Sequence, residues 1–521
     1  MNETSGGSRE DRGRAQNLVV ILLDSLNRHL LGSYGSEEFD TPNLDRVARR
    51  STRFTNHHAG SLPCMPARHD LLTGSLDFLW RPWGSLELWD EPVTATLRRA
   101  GVTTQLVTDH PHLFETGGEN YHTEFSAWDY QRGHEGDTWK TRPDPSWAGA
   151  PSFGRGHTPY DNSRGWFRDE ADFPGPRTMT AAASWLRDHA PFHRDAGVPW
   201  LLFVDEFDPH EPFDTPEPWA SRYDPEWDAS ADGPHLIWPP YTGSGVESGA
   251  ISERQGRQIR AQYGAKLSMI DHWLGRVLDQ LDAGNWWDDT VVIVCTDHGH
   301  YLGERDAWGK PGIPLFEPLL HTPLFISWPG VSVPGSTVDA LTTNVDLHAT
   351  LCEAFGVDAP TRAHGTSLRP LLDGSATSVR EWALAGVWGR EVHVLDRTRK
   401  YARAPRGDNA PLSMWSNRWS TMPLHSFPEL RMPPPDDRAT LDRMPGSKIP
   451  VIRQPFVPGD LLPFWAHAER METLCFDLAE DPGEERNLVG TPAEAELDDL
   501  LRTALVEIDA PSDQLERLGL T

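Results

Sequence analysis

The chain has 521 residues and a formal net charge of -29, from 77 acidic and 48 basic residues. This excess of carboxylates argues against a nucleic acid or an anionic membrane surface as the partner. No apolar run reaches the ~20 residues that a membrane helix needs, and we expect no signal peptide in the polar residues 1–15. The four cysteines show no metal-type pairing and are expected to be reduced, which predicts a cytoplasmic protein.

Apolar runs alternate with amphipathic segments along most of the chain. The predicted strands are residues 17–23, 103–108, 200–205, 290–296 and 323–327, and the predicted helices are residues 42–50, 91–100, 252–283 and 345–355. This alternation predicts an open α/β sheet with helices on both faces. Asp24, Asp205 and Asp297 fall at the ends of three of these strands, where such sheets bind ligands.

Two stretches rich in Trp, Gly and Pro, residues 128–176 and 403–470, break this pattern and are expected to fold over the site as loops. Beyond residue 380, short strand-like pieces and a helix near 493–508 indicate a smaller α+β subdomain. We therefore predict a disordered tail over residues 1–15, a catalytic α/β domain over 16–380 and a C-terminal subdomain over 381–521.

A Cys-x-Pro-x-Arg sequence, from Cys64 to Arg68, opens a predicted helix. Pro66 is tolerated in a first helical turn, so Cys64 would lie at a helix N-terminus, where free N–H groups favour negative charge. Arg68, one turn on, faces the same side and adds a planar cationic fork. The pattern suits a nucleophile that attacks an anionic ester, whereas the alternative for Cys64 is a small buried thiol.

Cys64 to Arg68, followed by Leu-Leu-Thr-Gly at 71–74, resembles the signature of the type I sulfatases. The resemblance implies an alkaline-phosphatase-like fold, in which helices sandwich a large mixed, mostly parallel sheet. It also implies that a formylglycine-generating enzyme oxidises Cys64 to formylglycine, whose hydrated aldehyde supplies the attacking oxygen.

Two further segments match the family in order. Asp24 ends the first predicted strand, and residues 296–310 (TDHGHYLGERDAWGK) match the family's second metal segment. The resemblance implies that Asp24, Asp297, His298 and the formylglycine bind one divalent ion. Ser25 stands where the family usually has a second aspartate, and it would ligate weakly or through water. Hard oxygen ligands favour Ca²⁺ or Mg²⁺, with Ca²⁺ as our choice, and the imidazole leaves Mn²⁺ or Zn²⁺ open.

The resemblance also implies roles for basic residues. Arg68 and Lys310 would hold the sulfate oxygens. His210 lies in the segment DEFDPHEPFD, residues 205–214, and would protonate the leaving group. The alternative for His210 is a solvated loop histidine.

The segment LVTDHPHLF, residues 106–114, stands where many sulfatases carry a lysine and a histidine. The lysine is absent here. His110 and His112 are the available substitutes, and the sequence leaves open which of them points into the site.

These residues together predict a sulfatase that hydrolyses a small-molecule sulfate ester. Ser25 and the Asp297–His298 pair favour an alternative on the same scaffold, a phosphonate monoester or phosphodiester hydrolase. A third alternative is a non-catalytic anion-binding homologue in which Cys64 stays a thiol. The substrate, the metal and the oligomeric state are left open at this point.

The two aromatic stretches predict the shape of the pocket mouth. Flat aromatic side chains bury rings and sugar faces well, so we expect at least one tryptophan at the mouth and an aromatic or cyclic organic group in the substrate. The candidates are Trp139, Trp147, Trp166, Trp415, Trp419 and Trp465.

Overall fold

The computed structural model describes residues 15–145, 158–227, 237–422 and 434–521. Within these residues the strands are β1 (Asn17–Leu23), β2 (Thr52–His58), β3 (Thr103–Thr108), β4 (Ala127–Tyr130), β5 (Trp200–Glu206), β6 (Thr290–Cys295), β7 (Tyr301–Leu302), β8 (Trp308–Gly309), β9 (His321–Ser327), β10 (Thr337–Val338), β11 (Thr342–Thr343), β12 (Ala383–Gly386), β13 (Val392–Leu395), β14 (Arg399–Arg403), β15 (Leu412–Ser416), β16 (Thr440–Arg443), β17 (Pro450–Phe456) and β18 (Leu474–Asp477).

The α-helices in the same residues are α1 (Pro42–Arg50), α2 (Cys64–Thr73), α3 (Val93–Arg99), α4 (Thr158–Arg164), α5 (Pro174–Asp188), α6 (Ala190–Ala196), α7 (Glu253–Ala283), α8 (Glu317–Leu320), α9 (Asn344–Phe355), α10 (Arg369–Leu372), α11 (Pro492–Glu507) and α12 (Ser512–Leu518). None of these helices is both long and apolar enough to cross a bilayer.

The central sheet has the strand order β10-β2-β9-β6-β1-β5-β3-β4, with β11 beside β2. β1 pairs in parallel with β5 and β6, so that Asn17 lies opposite both Trp200 and Thr290. β9 runs antiparallel to its neighbours β2 and β6. The carboxyl ends of β1, β5 and β6 therefore meet at one edge of the sheet, where the predicted site residues follow.

Both faces of this sheet are covered. Alternate residues of β1 point to opposite sides: Val19, Ile21 and Leu23 pack with the core beneath α1, α5 and α7, and Leu18, Val20 and Leu22 pack with α2, α3 and α9. Because β1 is buried on both faces, its sequence is a continuous apolar run rather than an alternating one. The predicted α/β class with helices on both sides is confirmed.

The C-terminal part of the chain forms smaller antiparallel sheets. One has the order β12-β13-β14-β18 and packs against α11, and the other has the order β15-β17-β16. The predicted C-terminal α+β elements are thereby confirmed, whereas the domain boundaries at residues 15 and 380 stay a prediction.

The expectation that residues 403–470 are loops folded over the site is wrong in its secondary structure, because β15, β16 and β17 lie there. The Pro- and Gly-rich flanks obscured the strands. The same expectation is wrong for residues 128–176, because β4 runs into this stretch, α4 lies within it and α5 begins there. The predicted tail before residue 15 and Trp147 lie outside the described residues.

Candidate active site

α2 begins at Cys64, as predicted, and all its residues are buried. On the same helix, Asp70 accepts hydrogen bonds from the backbone N–H and the hydroxyl of Ser61, each at 2.6 Å. These bonds fix the segment that leads into the helix. The helix ends at Gly74, whose φ of 73° lies in the left-handed region that favours glycine. Cys64 is thus held at a helix N-terminus, where backbone N–H groups favour an anion.

Asp24, Cys64, Asp297 and His298 form one buried cluster in which a donor atom of each residue lies within 4.8 Å of the others. Cys64 Sγ is 3.3 Å from His298 Nε2, and Asp297 Oδ2 is 3.4 Å from the same nitrogen. The Nδ1 atom of His298 lies 2.8 Å from the Gly299 carbonyl oxygen. Because that oxygen can only accept, Nδ1 carries the proton and Nε2 presents its lone pair to the cluster.

The charges in this cluster suit a divalent ion. Burial raises the pKa of Asp24 well above its usual range, and the charge of Asp297 adds to the rise. Burial alone would also raise the pKa of Asp297. The charges of His298 and Arg68 outweigh burial, and the pKa of Asp297 is lowered. Burial lowers the pKa of His298 to about 4, so the ring is neutral and able to ligate. Two buried carboxylates and a neutral imidazole fit Ca²⁺, Mg²⁺, Mn²⁺ or Zn²⁺.

Ser25 contacts both carboxylates of this cluster, and its predicted role as a weak or water-mediated ligand stays a prediction. Its hydroxyl donates to Asp24 Oδ1 at 2.7 Å, and its backbone N–H donates to Asp297 Oδ1 at 3.1 Å. A φ of 60° at Ser25 lets the chain turn back after β1 so that both bonds form. Lys310 Nζ lies 3.4 Å from the hydroxyl oxygen.

Arg68 is buried and its guanidinium contacts three carboxylates. NH1 lies 2.9 Å from Asp24 Oδ2 and 2.8 Å from Asp297 Oδ2. The other edge of the guanidinium faces Asp205, with Nε at 2.9 Å from Oδ2 and NH2 at 2.6 Å from Oδ1. The sequence predicted that Asp205 lies at a strand end, but it did not predict the hydrogen bonds to Arg68. The position of an aspartate at the end of a buried strand was the only feature of the sequence that pointed to this residue.

Lys310 and His210 form a second pair beside Cys64. Lys310 Nζ lies 2.7 Å from His210 Nε2 and 3.7 Å from Cys64 Sγ. His210 Nδ1 donates to the Glu211 carbonyl oxygen at 2.8 Å, so Nε2 is the acceptor for the lysine. Burial lowers the pKa of His210 to about 3. The negative charge of Glu211 opposes this shift, and the positive charge of Lys310 adds to it. The pair therefore carries its proton on Lys310.

His110 and His112 differ in their surroundings. His112 lies between two carboxylates: its Nδ1 contacts Glu115, and its Nε2 lies 3.1 Å from Glu135 Oε2. Burial alone would lower the pKa of His112. The two carboxylates outweigh burial and raise this pKa to about 10. Within the described residues, neither ring nitrogen of His110 has a hydrogen-bond partner, and its ring packs 4.4 Å from that of Phe207. Of the two histidines, His110 is thus the one whose ring nitrogens are unpaired within the described residues.

Three aromatic rings form a connected series that starts beside Lys310. The Tyr241 ring centroid lies 5.7 Å from Lys310 Nζ, and its hydroxyl donates to Glu211. The Trp465 ring lies 6.1 Å from that of Tyr241 and 6.5 Å from that of Trp83. Tyr241 and Trp465 are partly exposed, whereas Lys310 is buried. We call Tyr241, Trp465 and the buried Trp83 the aromatic wall. Only Trp465 was among the predicted candidates.

The other described tryptophans of that prediction make different contacts. Trp139 packs beside Lys140, Trp166 donates to the Arg142 carbonyl, Trp415 donates to Asp442 and Trp419 packs against the cluster around Trp388. Tyr241 and Trp83 were missed because neither lies in a segment that matches a motif.

Comparisons with known proteins point to one family. The family model for sulfatases matches residues 16–357. The choline-sulfatase of Rhizobium meliloti (strain 1021) is 27% identical over 392 residues, covering 69% of this chain and 72% of that protein. The multifunctional alkaline phosphatase superfamily protein PehA of Trinickia caryophylli is 29% identical over 421 residues, covering 68% of this chain and 77% of that protein.

A solved structure shares the fold along nearly the whole length. The phosphonate monoester hydrolase SpPMH of Silicibacter pomeroyi superposes with a TM-score of 0.64 at 20% identity, covering 96% of each chain. Because the sulfatase family model matches well over half of the sequence, the chain belongs to the sulfatase family.

Proposed function

We propose that the protein hydrolyses a small-molecule sulfate ester through residue 64 and one divalent ion. The observation that carries the proposal is the joint placement, in one buried cluster, of a metal-type donor set and two cations around Cys64. Its donors are carboxylates and a neutral imidazole. The two cations, Arg68 and Lys310, would hold the oxygens of a tetrahedral anion.

A formylglycine at position 64 would supply a hydrated-aldehyde oxygen as nucleophile. Burial and the charge of Asp24 raise the pKa of the Cys64 thiol well above its ordinary value, so the unmodified side chain is a poor thiolate nucleophile. This supports modification rather than direct thiol chemistry. A formylglycine-generating enzyme would be the partner in maturation.

A divalent ion at Asp24, Asp297, His298 and residue 64 would supply Lewis acidity beside that oxygen. Ca²⁺ is favoured because hard oxygen donors predominate, with Mn²⁺, Mg²⁺ and Zn²⁺ as alternatives. Ser25 would keep both carboxylates in their ligating orientation through its two hydrogen bonds.

Arg68 and Lys310 would bind the non-reacting oxygens of the ester, because both are buried cations beside Cys64. Fixed charges of this kind stabilise the charge that develops on these oxygens in the transition state. His110, with both ring nitrogens available, would add a neutral hydrogen-bond donor to the same anion. His112 would remain an imidazolium, held by its two glutamates.

The leaving group needs a proton when its bond to sulfur breaks. We propose that His210 delivers this proton as general acid. Its Nε2 accepts from Lys310 at 2.7 Å in the free protein, and it would take up a proton from solvent once Lys310 binds the ester oxygens. Nε2 would then pass that proton to the leaving oxygen, and Lys310 would keep its charge. The hydrogen bond from Nδ1 to the Glu211 carbonyl keeps the ring in the orientation that this transfer requires.

The organic part of the substrate would lie against the aromatic wall of Tyr241, Trp465 and Trp83. Aromatic faces bury rings well, so an aromatic or cyclic group is expected. A nucleic acid or a membrane is not expected as a partner because the net charge is -29. Four unpaired, buried cysteines support a cytoplasmic location.

A phosphonate monoester or phosphodiester hydrolase is the second candidate function. Ser25 favours it, because this residue replaces a carboxylate that sulfatases usually carry and leaves His298 as the third protein ligand. These esters are also tetrahedral monoanions, so Arg68 and Lys310 would hold them in the same way.

The test uses one preparation of the protein made together with a formylglycine-generating enzyme. Mass spectrometry of the residue-64 peptide reports conversion of the thiol to the aldehyde. An aryl sulfate, a phosphonate monoester and a phosphodiester are then assayed side by side, with Cys64→Ala as the control. Faster turnover of the sulfate supports the proposal, and faster turnover of a phosphorus ester selects the second candidate. Equal activity in Cys64→Ala contradicts both.

A further inference from the structure

Asp205 is buried, and both of its carboxylate oxygens accept hydrogen bonds from Arg68. The bonds run from NH2 to Oδ1 at 2.6 Å and from Nε to Oδ2 at 2.9 Å. This is the two-point geometry in which arginine binds a carboxylate most strongly. Asp205 contacts none of the four donor atoms of the metal-type cluster directly, so any effect on that cluster must pass through Arg68 or through charge.

The opposite edge of Arg68 lies where it can compete with a metal ion. NH1 is 2.9 Å from Asp24 Oδ2 and 2.8 Å from Asp297 Oδ2, the carboxylates that would bind the ion. A guanidinium that had only these partners would be drawn onto them as their counter-ion. Inside a protein the attraction between such charges is far stronger than in water.

We infer that Asp205 is a positioning residue that lets Arg68 and a divalent ion lie side by side. Asp205 would hold the Nε and NH2 edge of the guanidinium and balance its positive charge. The metal ion would then lie next to a neutral Arg68–Asp205 pair rather than next to an uncompensated cation. This inference rests on the metal site of the proposed function. A merely structural Asp205 would support folding without changing the affinity for the ion.

The two roles differ in how they depend on Arg68. If Asp205 acts by restraining Arg68, then Asp205→Asn frees the guanidinium to compete and weakens metal binding. Removing the competitor as well, with Arg68→Gln, should abolish that effect. A double-mutant cycle on metal affinity therefore separates positioning from general support.

The measurement is calorimetric titration of the full-length chain with Ca²⁺ and with Mn²⁺, which requires no turnover. Residues in direct contact couple strongly, so Asp205→Asn should weaken the affinity about tenfold or more. Asp205→Glu keeps the charge and should retain most of the affinity. In the Arg68→Gln background, Asp205→Asn should change the affinity by less than about threefold.

Asp271→Asn is the matched control. Asp271 is also a buried carboxylate, but it accepts hydrogen bonds from the backbone N–H groups of Asn43 and Leu44 at the start of α1. Its replacement should lower stability and leave the affinity for the ion unchanged. Circular dichroism reports whether each variant is folded.

Each outcome has one meaning. If the wild type binds neither ion, the metal site of the proposed function fails. If the wild type binds and Asp205→Asn binds equally well, the inference about Asp205 is overturned while the metal site stands. If Asp205→Asn does not fold, the comparison of Arg68→Gln with the double variant decides, and weaker binding by the double variant overturns the inference.

Discussion

The stability of the protein should depend on pH through His112. Glu115 and Glu135 outweigh the effect of burial and raise the pKa of this imidazole to about 10, from 6.5 in an unfolded chain. Because the folded pKa is the higher one, the stabilisation is complete below pH 6.5 and is lost as the pH rises through about 10. Between these limits one extra proton is bound in the folded state. The free energy of unfolding should therefore fall by about 1.4 kcal/mol per pH unit from this group alone.

The perturbation is the double replacement Glu115→Gln and Glu135→Gln, which removes both anions and keeps the side-chain shapes. Only burial then acts on His112, so its pKa should fall below that of the unfolded chain and this slope should vanish. Urea unfolding followed by tryptophan fluorescence, at about pH 7, 8 and 9, gives the difference in stability between wild type and variant.

The stability advantage of the wild type over this variant should shrink by about 1.4 kcal/mol for each pH unit. Replacing Glu37 and Glu91, both exposed, by glutamine changes the net charge equally and serves as the control. An advantage that stays constant from about pH 7 to 9 would refute the assignment of a raised pKa to His112.

Three further predictions concern the cluster and the aromatic wall. Asp297→Asn should weaken Ca²⁺ binding strongly in calorimetric titration, because one of two ligand carboxylates is lost; unchanged affinity would place the ion elsewhere. Arg68→Gln should lower the free energy of unfolding in chelator by about 3–5 kcal/mol, because buried carboxylates lose their counter-ion, and urea unfolding measures this. Added Ca²⁺ should recover part of that loss. Trp465→Ala should raise KM for an aryl ester but not for a small alkyl ester, and an equal rise for both would remove Trp465 from the substrate site.

The fold could be predicted where burial alone shapes the sequence. β1 and β6 are continuous apolar runs because helices cover both faces of the sheet. β2 is a strand of the same sheet but reads TRFTNHH, and it was not predicted. Its buried His57 pairs with Thr342 at 3.0 Å and with Asn344 at 3.2 Å, partners that are 285 and 287 residues away. A polar strand of this kind is recognisable only once its distant partners are known.

In the candidate site, too, some residues could be predicted from the sequence and others depend on distant partners. Asp24, Asp297 and His298 could be named because they follow buried strands in recognisable segments, and parallel strands bring their ends together. Tyr241 could not, because its place in the aromatic wall depends on its bond to Glu211, 30 residues earlier. Asp205 is intermediate: its strand end was predicted, and its partner Arg68 was not. The sequence thus predicts which residues reach the sheet edge, and the structure adds which of them pair there.

Charge explains why these pairs and a metal ion belong together. Asp24, Asp205 and Asp297 surround Arg68, and Lys310 lies beside Ser25 and Cys64, so the groups nearest residue 64 comprise three carboxylates and two cations. With all of them ionised, this centre is negative and would repel an anionic ester. The raised pKa of Asp24 reflects the same imbalance, because burial and the neighbouring Asp297 favour a proton there. A divalent ion in that place would make the centre positive by one charge, which matches a monoanionic ester. The proposed ion would therefore do more than activate a nucleophile, because it would convert a centre that repels an anionic ester into one that attracts it.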